Sequence, residues 1–382
     1  MKKKTADILF ILALCGMLAV CFAGIRRSQR TSFYENRTLA PAPAVTASAV
    51  WDGSFGEDLE AFLTDRAPWR LTMLKARTAA DLALRRPVVN DIVVTKDLLL
   101  PFYDFDRDAD EKALLDAAQK KIDRLERLSK KTESCGGTFL FVTLPTQTFY
   151  YANEYPSYLN DLSRYHNTLL PYYHASLSEK NISYLDMGLI AGQEGYPAMY
   201  SSRTDHHYSM EGALSVWKHI VETLQKQGAD ISFDEKYTLE TLPNPYLGSR
   251  NRKLLGLRYN DEKLQRVRFE DPVSFERFNN GRQTDPILYK ILPNRTDPVD
   301  YSYYMGGDIG EVVLKTHRPD KPKVLIFGES FVNAIETFAY VSCDEFRSID
   351  LRHYKEMTLK KYIELYKPDI VIGLTDYSMM DQ

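Results

Sequence analysis

The chain has 382 residues, of which 44% are hydrophobic and 26% are charged, a composition that suits one large α/β domain or two smaller ones. A net charge of −3 gives no bulk attraction to a polyanion, so nucleic acid is not expected as a partner. The four cysteines exclude a disulfide-stapled fold. Cys135 and Cys343, which lie outside the apolar N-terminal run, either pair or are buried thiols, and no Cys or His spacing is typical of zinc.

An apolar run over residues 8–25 follows Lys2–Lys4 and ends at Arg26 and Arg27. Its 18 residues are long enough to span a bilayer as a helix, and no small-x-small cleavage site stands near its end. We therefore expect an uncleaved, single-pass anchor that leaves the body of the protein outside the cytoplasm, while cleavage of the segment stays open. Residues 1–30 would form a cytoplasmic tip and this transmembrane anchor.

The next part of the chain predicts a tether and two helices. Residues 38–50 are small, uncharged and contain prolines, which is typical of an extended tether. Apolar residues at helical spacing cover 55–84, and the interruption at 65–70 breaks this stretch into two helices. Residues 31–90 are therefore expected to hold the tether and the N-terminal helices.

Strands and helices then alternate over residues 91–382. Either a strand pair or a strand and a turn is predicted within 91–100. Helices are predicted over 108–131, 159–178, 210–226 and 359–366, and strands over 138–145, 182–187, 323–327, 348–351 and 369–374. This alternation predicts an α/β domain with a parallel sheet and helices on both faces. The polar segment at about 228–304 lacks a long period and is interpreted as an irregular insertion of hairpins and loops near the site, not as a separate domain.

The strand that begins at Lys323 ends in a candidate nucleophile. Its apolar run stops at Gly328, and Glu329 and Ser330 follow. A glycine at this point permits the sharp turn that would present Ser330 at the carboxyl end of a buried parallel strand. Open α/β sheets place their sites at that edge. Glu329 is interpreted as a local structural hydrogen-bonder.

A candidate base and acid lie upstream, in the loop before the predicted helix over 210–226. A serine hydroxyl needs a base to accept its proton, and the base needs a group that fixes its tautomer. In extended backbone, Asp205 and His207 project to the same side, so Asp205 would hold Nδ1 of His207 while Nε2 faces Ser330. His206 would then point away. The alternatives are a surface loop or a metal-ligand pair, but no third ligand has convincing spacing, so a metal is not expected.

Further side chains are candidates for substrate binding. The candidate donors of an oxyanion hole are the backbone N–H of Ser330 or of its neighbour and the side chains of Asn333, Gln147 and Arg203. The chain has 25 tyrosines, several of them clustered. Tyr208 and Tyr150 are predicted to form an aromatic wall that stacks on a sugar ring.

These residues also carry a family resemblance. The block Arg203–Ser209, followed by Glu211-Gly212-Ala213, resembles the signature of the DHHW family, which is related to the SGNH-like O-acetyltransferases of alginate and other exopolysaccharides. Other pieces that resemble family motifs follow in order: Tyr34-Glu35-Asn36-Arg37 with Leu39, Asp65-Arg66 with Arg70, Pro145 with Gln147 and Tyr150, Tyr246–Ser249, and Gly328–Phe331. The resemblance spans essentially the whole expected exported chain. Its most specific part is the pairing of the Asp-His-His block with the Gly-acid-Ser-Phe block.

The resemblance implies an SGNH-hydrolase-like fold and a catalytic triad of Asp205, His207 and Ser330, the same three residues that the spacing selects. Two positions depart from the family pattern, because Tyr208 replaces the usual Trp and Glu329 replaces the usual Asp. Tyrosine keeps an aromatic wall, so we expect retained activity with an altered fit to the acceptor.

The expected function is an extracytoplasmic O-acetyltransferase that passes an acetyl group through an acyl-serine to hydroxyls of a cell-wall, capsular or exopolysaccharide glycan. Because acetyl-CoA is cytosolic, the resemblance implies a membrane-bound O-acyltransferase as the partner that delivers acetyl, and no cofactor is expected. Two alternatives stay open. One is a carbohydrate esterase with the same triad, and the other is a non-catalytic glycan-assembly or glycan-binding protein that kept the fold.

Overall fold

The computed structural model describes residues 30–102, 111–156, 158–159, 163–259 and 261–380, together with residues 8, 10–12 and 15–16; for 163–165 it describes the backbone alone. The chain divides into two compact units, Met1–Ile92 with Asn251–Arg258, and Val93–Arg250 with Tyr259–Gln382. The domain boundaries expected at residues 30 and 90 stay predictions.

The expected membrane anchor over residues 8–25 falls mostly outside the described residues. In the part of the chain that the structure describes, no helix combines the length and apolar character that a membrane crossing requires. The anchor therefore stays a prediction.

The first unit is built mainly from helices. Strand β1 (Thr31–Ser32) pairs antiparallel with β2 (Arg37–Thr38), and α1 (Ala47–Asp52), α2 (Ser54–Asp65), α3 (Arg70–Ala83) and β3 (Val88–Val89) follow. The two helices predicted over 55–84 are confirmed as α2 and α3. The end of the predicted tether is helical instead, because the Thr46 hydroxyl caps α1 by accepting a hydrogen bond from the N–H of Ala49.

Two ion pairs join the motifs that the sequence singled out in this unit. Arg70 donates to both carboxylate oxygens of Glu35, at 2.7 and 2.9 Å. Arg37 donates to both oxygens of Asp65, at 2.7 and 2.5 Å. The hydrogen bonds from the arginines lower the pKa of Glu35 and of Asp65 to about 2. Bidentate pairs of this kind fix geometry, so these motif residues hold β2 and the adjacent loop against α2 and α3.

The remaining elements form the site-bearing part of the chain. Its helices are α4 (Glu111–Ser134), α5 (Gln147–Tyr150), α6 (Ser163–Glu179), α7 (Met187–Gln193), α8 (Met210–Lys226), α9 (Ser249–Lys253), α10 (Val332–Ala339) and α11 (Leu359–Tyr366). Its strands are β4 (Ile92–Val94), β5 (Leu99–Pro101), β6 (Thr138–Leu144), β7 (Tyr184–Asp186), β8 (Tyr237–Thr241), β9 (Gln265–Phe269), β10 (Glu276–Asn279), β11 (Arg282–Thr284), β12 (Glu311–Lys315), β13 (Lys323–Gly328), β14 (Glu345–Asp350) and β15 (Ile370–Asp376).

The main sheet is mixed, with eight strands in the order β11-β10-β12-β14-β13-β15-β6-β7. Strands β14, β13, β15, β6 and β7 pair in parallel, which confirms the predicted α/β fold for this part of the sheet. Strands β12, β10 and β11 add to it antiparallel, and the sequence did not predict them there. Strands β10 and β11 come from the segment at about 228–304, so the hairpin expected within that irregular insertion is confirmed. The structure shows in addition that this hairpin extends the main sheet, which was not predicted.

Alternate residues of β13 enter two cores on the two faces of the sheet. Val324 and Ile326 pack in the core that contains α8, while Leu325 and Phe327 pack in the core that contains α4, α6 and α11. Each such side chain contributes about 1.5–3 kcal/mol when it is fully buried. Burial on both faces fixes the register of β13, and with it the position of the turn that carries Ser330.

Candidate active site

Ser330 lies half-buried just past the carboxyl end of β13, and α10 begins two residues later. Gly328 is required here by close packing, because a Cβ at this position would lie 2.4 Å from the carbonyl oxygen of Leu374 in β15. Its φ is not in the left-handed region, so the glycine serves the approach of two backbones and not a left-handed turn.

The structure brings Ser330, His207 and Asp205 into one hydrogen-bonded chain. Nε2 of His207 lies 2.8 Å from Oγ of Ser330, and Nδ1 lies 2.7 Å from Oδ1 of Asp205. Both distances are in hydrogen-bond reach, which is the arrangement that a nucleophile, a base and an orienting acid require. Asp205 and His207 are paired as predicted, but the backbone over 203–207 is bent and not extended, so the pairing does not arise from the extended geometry that the prediction assumed.

Backbone groups and imidazoles hold the Asp205 carboxylate in its charged form. Oδ1 accepts hydrogen bonds from the N–H of His206 at 2.7 Å and of His207 at 3.2 Å. Burial alone would raise the pKa of Asp205, but attraction to the two imidazoles outweighs it and holds the pKa well below its usual range. A buried, ionised carboxylate at this point fixes which nitrogen of His207 carries the proton.

The Tyr246–Ser249 motif supplies a further contact to the acid. The N–H of Ser249 donates to Oδ2 of Asp205 at 2.6 Å. Gly248 allows this approach, since a Cβ there would lie 2.3 Å from the carbonyl oxygen of Thr204. The sequence analysis identified this motif only by its family resemblance and assigned it no role. In the structure it hydrogen-bonds the candidate acid, Asp205.

His207 is buried between aromatic rings. Its imidazole stacks on Tyr301 with the ring centres 3.6 Å apart and an angle of 2° between the planes, and Phe331 meets it at 4.9 Å. Burial, together with the charge of His206, lowers the pKa of His207 to about 4 although Asp205 opposes the shift. The imidazole is therefore neutral at pH 7 and can accept a proton. Nothing in the sequence linked Tyr301 to His207 beyond its place in a tyrosine cluster.

His206 does not point away from the site, contrary to the prediction. Its Nδ1 lies 2.9 Å from Oγ of Ser249 and 3.1 Å from Oδ1 of Asp205. Its ring centre is 3.8 Å from that of His207, and the side chain is exposed. A sharp bend of the backbone, in which the N–H groups of both histidines turn toward Asp205, brings the two imidazoles together.

A small cavity of about 50 Å³ adjoins His207. Its wall includes three of the predicted substrate-binding residues, Tyr208, Gln147 and Tyr150, together with Phe331. The Tyr208 hydroxyl donates to the carbonyl oxygen of Phe331, and the Tyr150 hydroxyl donates to that of Pro197 at 2.6 Å. Their hydroxyls are thus used inside the protein, and their rings shape the cavity wall.

Gln147 also supports the loop that carries the two histidines. Its amide nitrogen donates to Oγ of Ser201 at 2.9 Å and to the carbonyl oxygen of Ser202 at 2.7 Å. The amide oxygen is buried and has no partner among the described residues. Gln147 therefore positions this loop, and its placement does not direct an amide N–H at Ser330.

The other two side chains predicted as oxyanion donors, Arg203 and Asn333, are each engaged by a carboxylate. The Arg203 guanidinium pairs with Asp261 at 2.9 Å and does not line the cavity. The Asn333 amide nitrogen donates to Asp308 at 2.9 Å. The backbone N–H groups of Ser330 and of Phe331, the residue that follows it, make no hydrogen bond within the described part of the chain, so both stay available as the predicted oxyanion donors.

Two groups of side chains offer ligand atoms within 4.8 Å of one another among the described residues: Asp205 with His206 and His207, and Asp308 with Asp350 and His353. In the first group both ring nitrogens of His207 are already hydrogen-bonded. In the second, the Arg352 guanidinium binds both carboxylates. These contacts favour hydrogen-bonding and ion-pairing roles for the two groups.

The fold matches solved structures of known proteins. Bacillus cereus PatB1 is 22% identical, with a TM-score of 0.63 over 76% of this chain and 96% of that one. The same protein with a sulfonyl adduct is 21% identical, with a TM-score of 0.62 over 76% and 94% of the two chains. A DHHW family protein from Eubacterium siraeum is 16% identical, with a TM-score of 0.57 over 77% and 93%.

No protein-family model and no curated protein matches the sequence. The matches of structure confirm, at the level of the fold, the resemblance to DHHW proteins that the motifs predicted. At these identities they show a shared fold, and the chemistry has to be argued from the site itself.

Proposed function

We propose that this protein is an extracytoplasmic O-acetyltransferase that carries an acetyl group on Ser330 and passes it to a hydroxyl of an envelope glycan. The observation that carries the proposal is the hydrogen-bonded chain from Ser330 through a neutral, buried His207 to an ionised Asp205. This arrangement activates a serine hydroxyl at neutral pH, where it would otherwise be a poor nucleophile.

The reaction proceeds in two halves. Nε2 of His207 accepts the proton of Ser330 as Oγ attacks the acyl carbonyl, and Asp205 stabilises the imidazolium that forms. The proton then passes to the leaving group, which leaves an acetyl ester on Ser330. In the second half His207 accepts the proton of a sugar hydroxyl, whose oxygen attacks the ester carbonyl. His207 then returns that proton to Oγ of Ser330 as the ester bond breaks, which releases the acetylated sugar and restores the serine. The N–H of Ser330 or of Phe331 stabilises the oxyanion in both halves.

The size of the cavity beside His207 supports a small acyl group. A volume of about 50 Å³ exceeds that of one water site but is far below the usual range of ligand pockets. Its wall is mostly apolar, which suits the methyl group of acetyl, while a sugar acceptor would approach from the exposed side near His206. The sulfonyl adduct of PatB1 gives independent support, since sulfonyl reagents form adducts with nucleophiles.

The proposal extends to the cellular setting. The acetyl donor would be a membrane-bound O-acyltransferase that carries acetyl across the membrane, because acetyl-CoA stays in the cytosol. The apolar run over residues 8–25 would anchor the protein beside this partner. Co-expression with such a partner, followed by analysis of acetyl esters on envelope glycans, tests this part.

Trapping the acyl-serine tests the central step. Incubation with 4-nitrophenyl acetate should add one acetyl group, located on Ser330 by mass spectrometry. Ser330→Ala and His207→Ala should each lower the rate by about a thousandfold or more. Ser178→Ala, at an exposed position of α6, should behave as wild type. If the wild-type protein never acquires acetyl on Ser330, the result would favour the alternative of a non-catalytic glycan-binding protein.

An esterase would use the same three residues with water as the acceptor, and Ser330 is exposed enough for water to reach it. The Tyr208 ring should favour a sugar over water by closing one wall of the site. We expect Tyr208→Ala to lower the ratio of acetylated oligosaccharide to free acetate. Tyr208→Phe, which keeps the aromatic ring, should lower this ratio less than Tyr208→Ala does. If the wild-type protein yields only acetate at saturating acceptor, and Tyr208→Ala leaves this unchanged, the protein is an esterase.

A further inference from the structure

A second and much larger cavity, of about 630 Å³, lies beneath the nucleophile turn on the other face of the sheet. Its floor is apolar and is formed by Phe141 and Phe327 of the sheet, Leu125 and Leu128 of α4, and Leu359 of α11. These residues belong to the core opposite His207. Cavities of this volume with an apolar lining typically hold a whole small ligand.

Cationic side chains surround this apolar floor. Among the lining residues five are Lys or Arg and one is acidic. Three of the cations, Arg124, Arg127 and Lys360, are exposed and have no carboxylate within 4.0 Å in the described part of the chain. The acids that directly precede Arg124 and Arg127 along α4 are Asp123 and Glu126. Lys180 pairs with both of them, and Lys130 also pairs with Glu126. The rim therefore keeps a positive charge above an apolar surface.

The one acid in the lining is Glu329, which directly precedes Ser330. Its Oε1 accepts a hydrogen bond from the Thr375 hydroxyl at 3.2 Å, and its Oε2 is buried without a partner among the described residues. Burial raises the pKa of Glu329 to about 7, so much of its negative charge is absent at neutral pH. When protonated, Oε2 would donate a hydrogen bond to an anionic ligand. No group among the described residues makes this hydrogen bond.

We propose that this cavity binds a single-chain fatty acid, with the acyl tail on the apolar floor and the carboxylate held by the cationic rim. The long stems of the arginines and the lysine extend the apolar wall, while their charged ends neutralise the head group. A neutral lipid would gain nothing from the rim, and a small anion would gain nothing from the floor. This site is separate from the cavity beside His207, and it stands whether or not Ser330 carries acetyl.

Photolabelling of the full chain in membranes tests the proposal, with palmitate that carries a diazirine on its chain as the probe. We expect labelled peptides from α4 and from β6 or β13, and competition by unlabelled palmitate but not by hexadecanol. Arg124→Gln combined with Lys360→Gln should lower labelling at least about tenfold. The matched control is Lys120→Gln with Lys361→Gln, which removes one exposed lysine from each of the same two helices outside the cavity and should change nothing.

A second pair of variants separates charge from packing. Leu351 is 46% exposed on the cavity wall, so its substitution should be tolerated by the fold. Leu351→Glu should repel the carboxylate and lower labelling, while Leu351→Gln should lower it much less. Labelling spread over the whole chain, equal competition by hexadecanol, or stronger competition by hexadecyl phosphate would each overturn the assignment to a fatty acid. These outcomes do not depend on acyl transfer, so they leave the proposed function to its own test.

Discussion

At the scale of single residues, the burial of His207 has a measurable consequence. A buried imidazole with a pKa of about 4 stays neutral well below the usual His value of 6.5. Protonation removes its ability to accept the serine proton, so activity should fall only as the pH drops through about 4. We expect kcat/KM for 4-nitrophenyl acetate to be nearly flat from pH 7 down to about 5.5. An acidic limb at pH 6.5 or above would contradict this placement of His207.

His206 provides the contrasting prediction. It is exposed and does not contact Ser330, so His206→Ala should lower the rate far less than His207→Ala. Its charge is one cause of the lowered pKa of His207, so its removal should also shift the acidic limb to higher pH. His206→Gln, which keeps a polar group near Ser249, should show the same shift. Equal losses for His206→Ala and His207→Ala would show that the base is assigned to the wrong imidazole.

The sequence predicted the core of this site better than its surroundings. Asp205, His207 and Ser330 followed from local chemistry, because spacing and residue type limit the possible combinations. Ser249 and Tyr301 did not follow, since they reach the site from elements distant in the chain. Such contacts depend on tertiary packing, and the periodicity of hydrophobic residues along the sequence predicts only local secondary structure.

At the scale of elements, the β13 turn depends on contact between neighbouring strands. A Cβ on residue 328 would meet the Leu374 carbonyl oxygen at 2.4 Å, so Gly328→Ala must displace β13 or β15. We expect a loss of about 1–3 kcal/mol in the free energy of unfolding. A shift of Ser330 by about 1 Å would also cost on the order of a hundredfold in activity.

Gly56 offers the control for this substitution. It lies within α2, has no left-handed φ, and a Cβ there would meet nothing within 4 Å. Gly56→Ala should therefore leave activity unchanged and stabilise α2 by up to about 1 kcal/mol. Thermal unfolding and ester hydrolysis, measured on both variants, give the comparison. Wild-type stability and activity in Gly328→Ala would show that the strands are not as tightly packed as described.

Elements with a strong period were the ones that the sequence predicted well. The predicted helices over 210–226 and 359–366 correspond to α8 and α11. Helix α7 was not predicted, because its two glycines weaken the helical pattern. Its start also depends on a cap, since the Asp186 carboxylate accepts hydrogen bonds from the N–H groups of Gly188 and Leu189. Strand β12 was also missed, since a short apolar run carries little information on its own.

At the scale of the whole molecule, the parallel half of the sheet was predictable and the antiparallel half was not. Alternating strands and helices imply right-handed crossovers, so the parallel direction of β13, β14 and β15 follows from the order of elements, while their lateral order does not. The hairpin β10–β11 instead joins the edge through β12, and nothing in its polar sequence distinguishes a sheet edge from a surface loop. Which distant segments pair in a sheet is therefore the feature that a single sequence predicts least well.

The last prediction concerns where the molecule resides. A helix over residues 8–25 would be about 27 Å long, close to the hydrocarbon thickness of a bilayer. An alkaline phosphatase fused after Gln382 should therefore be active outside the cytoplasm, and the fusion should stay with the membranes after an alkaline wash. Replacing Leu12 and Leu14 by Arg should prevent this, because each charge in the apolar run costs about 2.5–3.5 kcal/mol. An active fusion that is released by the wash would indicate a cleaved signal segment. A fusion that is produced but inactive would place the protein in the cytosol and remove the access to envelope glycans that the proposed function requires.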